Sequence, residues 1–314
     1  MALPTFPSWD SRGLITTAVV TIVYQLTFFA IAAVFKFDKV TDFAGGTNFV
    51  VLAVLTLVLG GNASLPSSIA GSAMVVLWGL RLSIFLLLRI LAWGEDRRFD
   101  DRREQLCEVF KFWVYQMFWV WTVSLPVTLA NTAPDQSDGP LSPTTIIGWA
   151  LFALGWLVET VADQQKLHFK NDSANAGKWC DAGLWAWSRH PNYVGEITLW
   201  IGVWLACTQP NWPVLWAWLL SMLGPLFTFS GLMFLSGLPL LEKSADQRYG
   251  SQPAYVEYKN VRRVQEAHVA AVPRPAAGVR RAAVVPQGAD LLRVASVRQR
   301  RAERHRRLGG GVGC

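Results

Sequence analysis

Charged residues are scarce in this chain. They make up 16% of the 314 residues, whereas 52% of the residues are hydrophobic. Soluble domains usually carry about 25% charged residues. Several apolar runs also approach the ~20 residues that a helix needs to cross a bilayer. The shortage of charge excludes an ordinary soluble domain, and we predict an all-α polytopic membrane protein.

Cysteine is also rare, and the cofactor motifs of soluble enzymes are missing. The four cysteines, Cys107, Cys180, Cys207 and Cys314, form no CxxC pair and no cluster with histidine. This spacing predicts neither a disulfide framework nor a zinc site, and we expect no metal. The chain also lacks a P-loop, a GxGxxG turn after a strand and an HExxH helix, which excludes the standard soluble cofactor modules.

The positive net charge belongs to the C-terminus. From Arg262 onward the chain has twelve Arg, no Lys and three acids, a surplus of nine, so the net charge of +7 leaves residues 1–261 at 7 − 9 = −2. The basic balance therefore does not describe the ligand of the body, and we expect no nucleic-acid partner. For residues 260–314 three interpretations stay open: a disordered basic tail, a tether to the membrane surface, or DNA translated in the wrong frame.

Hydropathy predicts seven membrane-spanning helices. They are Leu14–Phe35, Phe49–Leu59, Ile69–Trp93, Phe112–Ala130, Thr144–Ala162, Ile197–Cys207 and Val214–Gly237. The second and sixth are short, so they either extend into their flanks (Asp42 to Gly60 and Asn192 to Cys207) or pair as a re-entrant hairpin. Residues 1–13 are then an outer or lumenal segment, and residues 14–259 form the membrane domain. Tryptophans near span ends, among them Trp9, Trp113 and Trp216, fit an interfacial belt.

The placement of lysine and arginine predicts the orientation of the chain. The linkers after spans one, three and five hold Lys36, Lys39, Arg97, Arg98, Arg102, Arg103, Lys111, Lys166, Lys170, Lys178 and Arg189. The linkers 60–68, 131–143 and 208–213 hold none. Because positive loops stay in the cytosol, we predict that the charged loops and the C-terminus are cytosolic.

The first candidate group lies in "VETVADQQKLHFK". Glu159, Asp163, Lys166 and Lys170 are spaced by four, three and four residues, which places them on one helical face. Two interpretations remain open. The four side chains form a ladder of ion pairs at a helix end, or they form a polar wall that binds a cofactor.

The second candidate group is "SRHPNYVGE", residues 188–196. Pro191 suits the first turn of a helix, with Ser188 or His190 near its N-cap. Such a helix start favours phosphate or carboxylate, and Arg189 and His190 add donors beside it. Asn192 and Glu196 follow at i,i+4. The alternative is an interfacial cap with a snorkelling arginine and an anchoring Tyr193.

The third candidate group is Arg81 with Arg89. Arg81 lies within an apolar span, so it must face the bundle interior or an aqueous cavity, and Glu95 or Asp96 could pair with either arginine. By the predicted orientation all three groups converge on the cytosolic side. They indicate a cytosol-facing pocket for an anionic soluble cofactor beside a cavity that lipids reach.

Four segments carry a family resemblance. "WGLRLSIFLLLRILAWGEDRRF", "ETVADQQKLHFK", "GLWAWSRHPNYVGEITLWIGVWL" and "SGLPLLEKSADQRYGSQPAYVEYK" resemble the DUF1295 branch of the steroid 5-alpha-reductase and sterol-reductase superfamily, over about Asp42 to Lys259. The resemblance implies an NADPH-dependent reductase of a carbon–carbon double bond in a steroid or other lipid. It implies a location in the endoplasmic-reticulum membrane, or in the inner membrane of a bacterium.

The resemblance also suggests roles for individual residues. We expect Glu159, Asp163, Lys170, Arg189, His190 and Asn192 to bind NADPH, and Tyr193 and Glu196 to act in catalysis. RHPxYxG is similar to the isoprenylcysteine and phospholipid methyltransferases as well. The alternative function is therefore an S-adenosylmethionine-dependent membrane methyltransferase. In both cases the partners are a lipid substrate and the lipids of the membrane.

Overall fold

Helices account for the regular structure of the chain. The computed structural model describes residues 5–35, 40–63, 65–93, 106–134, 141–211, 213–235 and 237–267. Within these ranges the chain forms helices and turns and no strand, which confirms the all-α prediction. Several residues of the predictions lie outside the described residues: Lys36, Lys39, Glu95, Asp96, all four arginines of the linker 94–105, and residues 268–314 of the predicted tail.

Eleven α-helices follow one another along the described ranges. They are α1 Leu14–Phe35, α2 Thr41–Leu59, α3 Pro66–Trp93, α4 Leu106–Asn131, α5 Pro143–Asn171, α6 Pro191–Ala206, α7 Thr208–Asn211, α8 Leu215–Ser221, α9 Leu223–Ser230, α10 Leu238–Tyr249 and α11 Pro253–Ala267. A five-residue π-helix, Gly231–Leu235, extends α9. The ends of α1, α3 and α5 that lead into the basic linkers define what we call the basic end of the bundle.

Five segments are long and apolar enough to cross a membrane. They are Leu14–Phe35, Thr41–Leu59, Pro66–Ala92, Pro143–Asn171 and Leu215–Tyr249. These segments indicate an integral membrane protein. Seven crossings are not confirmed, because the other two predicted spans fall on α4 and α6. Helix α6 has only 16 residues, or about 24 Å at 1.5 Å per residue.

Several predicted boundaries need correction. Helices α2 and α6 begin at Thr41 and Pro191 and each is one continuous helix, so the extension into the flanks is right and the re-entrant hairpin is wrong. The seventh predicted span is divided into α8, α9 and the π-helix. Helix α11 continues through Ala267, beyond the predicted domain boundary at Lys259.

The predicted second span began at Phe49 because the first turns of α2, from Thr41, have low hydropathy. Its glycines allow close packing, since a Cβ on Gly45 would lie 3.2 Å from the Gln116 side chain and one on Gly46 would collide with the hydroxyl of Ser83. Small residues of this kind let helix backbones approach each other in membranes. Low hydropathy at this position therefore reflects packing rather than exposure.

An aromatic cluster forms the centre of the bundle. Phe49 lies between Trp78, Trp119 and Trp200, with ring centroids 5.2, 5.0 and 5.5 Å away, and these rings join α2, α3, α4 and α6. Trp113 is fully buried, so its assignment to the interfacial belt is wrong, whereas Trp9 is 69% exposed. Large edge-to-face aromatic contacts of this type stabilise a core beyond their buried area.

Helices α5 and α6 are held together by glycines. A Cβ on Gly195 would lie 2.6 Å from the backbone nitrogen of Glu159, and one on Gly202 would lie 2.5 Å from that of Phe152. A Cβ on Gly155 would likewise lie 2.5 Å from the nitrogen of Leu199. The two backbones are in direct contact, which fixes the register between Glu159 on α5 and the start of α6.

A separate polar network is buried among α1, α2 and α4. Gln25 donates to Asn48 Oδ1 at 3.0 Å, and Gln116 donates to Gln25 Oε1 at 2.9 Å and to the Thr41 carbonyl at 3.1 Å. Gln25 and Asn48 are fully buried. These hydrogen bonds join three helices, as polar side chains commonly do in membrane bundles.

Candidate functional site

Arg81 of α3 binds two carboxylates of α5. One guanidinium nitrogen, Nη1, donates to Asp163 Oδ2 at 2.7 Å, and the other, Nη2, forms an ion pair with Glu159 Oε1. The side chain of Arg81 is 13% exposed and that of Glu159 is 3% exposed. Arg81 thus faces the bundle interior as expected. Its described partners come from α5.

Helix α6 adds one of the predicted residues to this group. Glu196 interacts electrostatically with Glu159, Asp163 and Arg81, because the glycine contacts bring the start of α6 against α5. We call Arg81, Glu159, Asp163 and Glu196 the acid cluster. Asn192 lies one turn before Glu196 and is partly buried. The structure therefore brings together predicted residues that are far apart in sequence.

Two acceptor oxygens, one on α5 and one on α6, have no hydrogen-bond partner in the described part of the chain. They are Oε2 of Glu159 and Oδ1 of Asn192, and both atoms are buried. Buried polar atoms in native proteins nearly always have a partner, which is often water or a ligand. The two oxygens are suited to groups that donate hydrogen bonds, such as hydroxyls and amides.

The lysines of the predicted α5 face have partners other than the acids. The Lys166 ammonium lies 4.2 Å from the ring centroid of Trp185, a cation–π contact. Lys170 donates to the Tyr249 hydroxyl at 2.8 Å and to the Lys178 carbonyl at 3.0 Å. With Arg81 holding Glu159 and Asp163, the structure favours a divided polar face over a simple ladder of ion pairs.

The segment between α5 and α6 is docked on α5. Gln165 Oε1 accepts from the Leu184 backbone nitrogen at 2.9 Å, and Trp185 Nε1 donates to the Ala162 carbonyl at 2.9 Å. This docking brings the chain to His190, which is the N-cap residue of α6, with Pro191 in the first turn. The predicted helix start is confirmed.

Arg189 and His190 are held by a residue that sequence reasoning did not single out. Arg189 Nη1 donates to Glu242 Oε2 at 2.7 Å, and His190 Nε2 lies 2.8 Å from Glu242 Oε1. Lys259 of α11 lies 3.1 Å from Glu242 and 2.5 Å from Asp246. We call these five residues the mouth cluster. It ties α10 and α11 to the start of α6.

Tyr193 belongs to the mouth cluster side of α6. Its ring stacks on His190 with centroids 5.6 Å apart and an interplanar angle of 20°. Glu196, one turn further along, interacts with the acid cluster instead. Tyr193 and Glu196, the two residues expected to act in catalysis, thus contact different clusters of the site.

Three tyrosines pack around Trp179 beside the mouth cluster. Trp179 contacts Tyr249, Tyr255 and Tyr258, and the Tyr258 hydroxyl donates to the Trp185 carbonyl at 3.0 Å. Burial of Tyr255, together with the negative charges of Glu242 and Asp246, raises the pKa of its phenol to about 12. The phenol therefore stays protonated at neutral pH.

A groove opens beside Arg81, between α3 and α5. Its volume is about 240 Å³, and it is lined by Arg81, Ile84, Phe85, Leu88, Thr160 and Gln164. Ile84 is 51% exposed and Leu88 is 42% exposed on the outer surface of the bundle. The groove therefore reaches from the acid cluster to the outer surface of membrane-crossing helices.

Glu242 and Tyr249 could have been suspected from one signal in the sequence. The segment 238–259 is amphipathic and leaves the apolar part of the chain, yet it carries acids and tyrosines at helical spacing. Its partners were not visible, because pairing between residues 189 and 242 depends on the path of the chain around α6 to α9.

The comparisons with known proteins identify a family and nothing closer. No curated protein and no solved structure matches the chain. A family described as "Protein of unknown function (DUF1295)" matches residues 28–262, which include both clusters and the groove. The match covers most of the chain and confirms the DUF1295 part of the resemblance. The chain belongs to the DUF1295 family.

Proposed function

We propose that this protein is a membrane-embedded, NADPH-dependent reductase of a carbon–carbon double bond in a steroid or other lipid. In this proposal seven helices cross the endoplasmic-reticulum membrane, or the inner membrane of a bacterium, and the basic end faces the cytosol. The similarity of the four motif segments to steroid and sterol reductases supports the chemistry. The charge order along α5 is the observation that carries the proposal.

Charge changes systematically along α5 from the basic end inward. Lys170 and Lys166 come first, Asp163 and Glu159 follow deeper, and the groove beside Arg81 lies next to them. NADPH has a matching order, because its pyrophosphate and its 2′-phosphate lie towards the adenosine half and the uncharged, hydride-donating dihydronicotinamide ring lies at the other end. Phosphates would thus remain at the cytosolic mouth while the reactive ring approaches the lipid.

The residues of the site fit such a cofactor at its ribose and carboxamide groups. The partnerless oxygens of Glu159 and Asn192 are acceptors, and ribose hydroxyls and a carboxamide are donors. At the mouth, Arg189, His190 and Lys170 would bind phosphate beside the start of α6. Arg189 and His190 already contact Glu242, so phosphate would compete with that carboxylate.

The residues of the acid cluster would orient the cofactor and protonate the reduced lipid. When bound, NADPH would supply a hydride to an electron-poor carbon of the lipid. Arg81 holds Glu159 and Asp163 in place for ribose contacts. Glu196, which interacts electrostatically with Arg81 and Asp163, would carry a proton to the reduced product. Tyr193 would position His190 through their stacked rings.

Ligand-dependent stabilisation of the purified full-length protein tests the proposal. We expect NADPH to raise the melting temperature in detergent, because a ligand that binds only the folded state stabilises it. Asn192→Leu should abolish the shift, while Thr198→Val, a polar-to-apolar change at a half-buried position of the same helix, should retain it. No shift with NADPH, or an equal shift in Asn192→Leu, would overturn the assignment.

One observation favours a second function. The acid cluster holds three carboxyl groups around one arginine, a setting that suits a cationic ligand. S-adenosylmethionine carries a positive sulfonium, and the similarity of RHPxYxG to the membrane methyltransferases points the same way. Stabilisation by S-adenosylmethionine and not by NADPH would replace the reductase with a methyltransferase.

A further inference from the structure

Each cation that we expect to bind phosphate at the mouth is already bonded to a side chain of α10. Glu242 accepts a hydrogen bond from Arg189 Nη1 at 2.7 Å, and its other oxygen lies 2.8 Å from His190 Nε2. Lys170 donates to the hydroxyl oxygen of Tyr249 at 2.8 Å. One helix therefore supplies acceptor oxygens both to α5 and to the segment that begins α6.

A carboxylate can take the place of a phosphate on these cations. Both groups are anionic acceptors, and arginine binds either one through charge-assisted hydrogen bonds. The Glu242 side chain is 19% exposed and the Arg189 side chain is 10% exposed, so the pair is largely shielded from water. A phosphate that binds the same nitrogen atoms of Arg189 and His190 has to displace Glu242.

The junction before α10 is suited to a hinge. The π-helix Gly231–Leu235 ends there, and α10 begins after Gly237, where a Cβ would collide with the Leu232 carbonyl oxygen. Hinges are often small residues at the ends of helices, and π-helices are frequent at functional sites. Within the described ranges the backbone of α10 packs closely on this π-helix and sparsely on the other helices. The position of α10 therefore depends largely on side-chain contacts such as those of Glu242 and Tyr249.

We infer that α10 is an autoinhibitory lid over the phosphate end of the cofactor site. In its closed position Glu242 and Tyr249 take the place of phosphate oxygens. A cofactor that binds displaces both side chains, and α10 turns outward about Gly237. The inference rests on the proposed function in one respect, namely that phosphates of the cofactor bind Arg189 and Lys170.

Hydrogen exchange of the purified full-length protein with inorganic pyrophosphate tests the lid without the whole cofactor. Compared with potassium chloride at equal ionic strength, pyrophosphate should speed exchange in α10 and slow it at the start of α6, because the anion replaces Glu242 there. Arg189→Gln should lose this response. Lys243→Gln, which removes an exposed charge of α10, should respond like the wild type. Slower exchange in α10, or equal exchange in the two salts, would overturn the inference.

The affinity for NADPH gives a second test, in which the sign of the change decides. Removing a side chain that binds the cofactor weakens binding, whereas removing a competitor strengthens it. Glu242→Gln should therefore bind NADPH about tenfold more tightly than the wild type, since a hydrogen-bonded ion pair no longer has to be broken. Glu257→Gln, the same change at an exposed position of α11, should bind like the wild type.

A third variant separates the lid from general electrostatic attraction. Tyr249→Phe removes the acceptor of Lys170 and changes no charge, so we expect a smaller gain in NADPH affinity from it. Weaker binding in Glu242→Gln, or no gain in either lid variant, would overturn the lid and leave the reductase. A full response to pyrophosphate without any binding of NADPH would remove the reductase and leave the lid.

Discussion

The acid cluster and the mouth cluster are both built around one central charged residue, and the two central residues have opposite charges. In the acid cluster one cation, Arg81, holds two acids, whereas in the mouth cluster one anion, Glu242, lies against Arg189, His190 and Lys259. The first lies within membrane-crossing helices. The second lies between α6 and the last two helices, and Asp246 at its edge is 48% exposed.

The difference in surroundings determines what each cluster can do. Coulomb interactions strengthen as the dielectric constant falls, so the partners of Arg81 cannot leave without leaving buried charge behind. Near water the same interactions are weaker and are screened by salt. The acid cluster is thus a fixed part of the fold. In the mouth cluster Glu242 is 19% exposed and Asp246 is 48% exposed, so we expect its ion pairs to respond more strongly to salt.

The largest expected effect comes from removing Arg81. Arg81→Met leaves two buried carboxylates without their cation, which typically costs 3–5 kcal/mol of unfolding free energy. Thermal unfolding in detergent measures the loss. The triple variant Arg81→Met, Glu159→Gln, Asp163→Asn should recover much of it, because both carboxylates that Arg81 binds are then replaced by neutral amides. A single variant as stable as the wild type would contradict the description of the acid cluster.

The next effect comes from the glycine contact that supports the acid cluster. Gly195→Ala places a Cβ against the backbone of α5, so the helices must separate, at a cost of about 2–3 kcal/mol. Glu196 then moves away from Arg81. Thr198→Ala, on the exposed side of α6, is the control and should change stability by less than about 0.5 kcal/mol. Equal melting temperatures for the two variants would show that α5 and α6 are not in backbone contact.

A smaller and salt-dependent effect is expected in the mouth cluster. Glu242→Gln weakens hydrogen bonds to charged groups and should lower stability by about 1–2 kcal/mol at low salt. Hydrogen exchange should increase in α10 and α11, while α3 and α5 remain protected. Repeating the measurement in molar salt should reduce the difference from wild type for Glu242→Gln and leave it unchanged for Arg81→Met. Equal salt responses would remove the contrast between the clusters.

The smallest effect concerns the phenol of Tyr255. Its pKa is raised to about 12 by burial and by the charges of Glu242 and Asp246, so the folded state favours the protonated form. The resulting stability is fully present below the ordinary tyrosine pKa of about 10 and is lost as the pH rises to about 12. The tyrosinate absorbance of the wild type minus that of Tyr255→Phe measures this titration. In Glu242→Gln the pKa should fall, and an unchanged value would place Glu242 away from the ring.

Sequence patterns revealed the parts of the site that are local in the chain. The i,i+4 spacing of Glu159 and Asp163 predicted a shared face, and Pro191 predicted the start of α6. The apolar surroundings of Arg81 predicted an inward side chain. The pairing of Arg81 with α5 and of Glu242 with Arg189 could not be read, because it depends on how helices distant in sequence pack together.

Glycines explain where hydropathy was misleading about the fold. The low hydropathy of Gly45 and Gly46 made the predicted second span too short, although both residues lie inside α2. They also left no sign that α5 and α6 form a close pair, since a glycine has no side chain to reveal its contacts. The sequence pattern therefore correctly predicted a shared polar face on α5. Only the structure shows that its acids contact Arg81 while its lysines contact Trp185 and Tyr249.

The length of α6 has a consequence for the membrane around the protein. At about 24 Å it is shorter than a hydrocarbon layer of ~30 Å, and its tight contact with α5 prevents it from tilting or sliding independently. Under the proposed seven-span arrangement, a thick bilayer has to thin locally or draw Arg189 and His190 below the headgroups. Bilayer thickness would then control access of the proposed cofactor, and we expect NADPH to bind best in thin membranes.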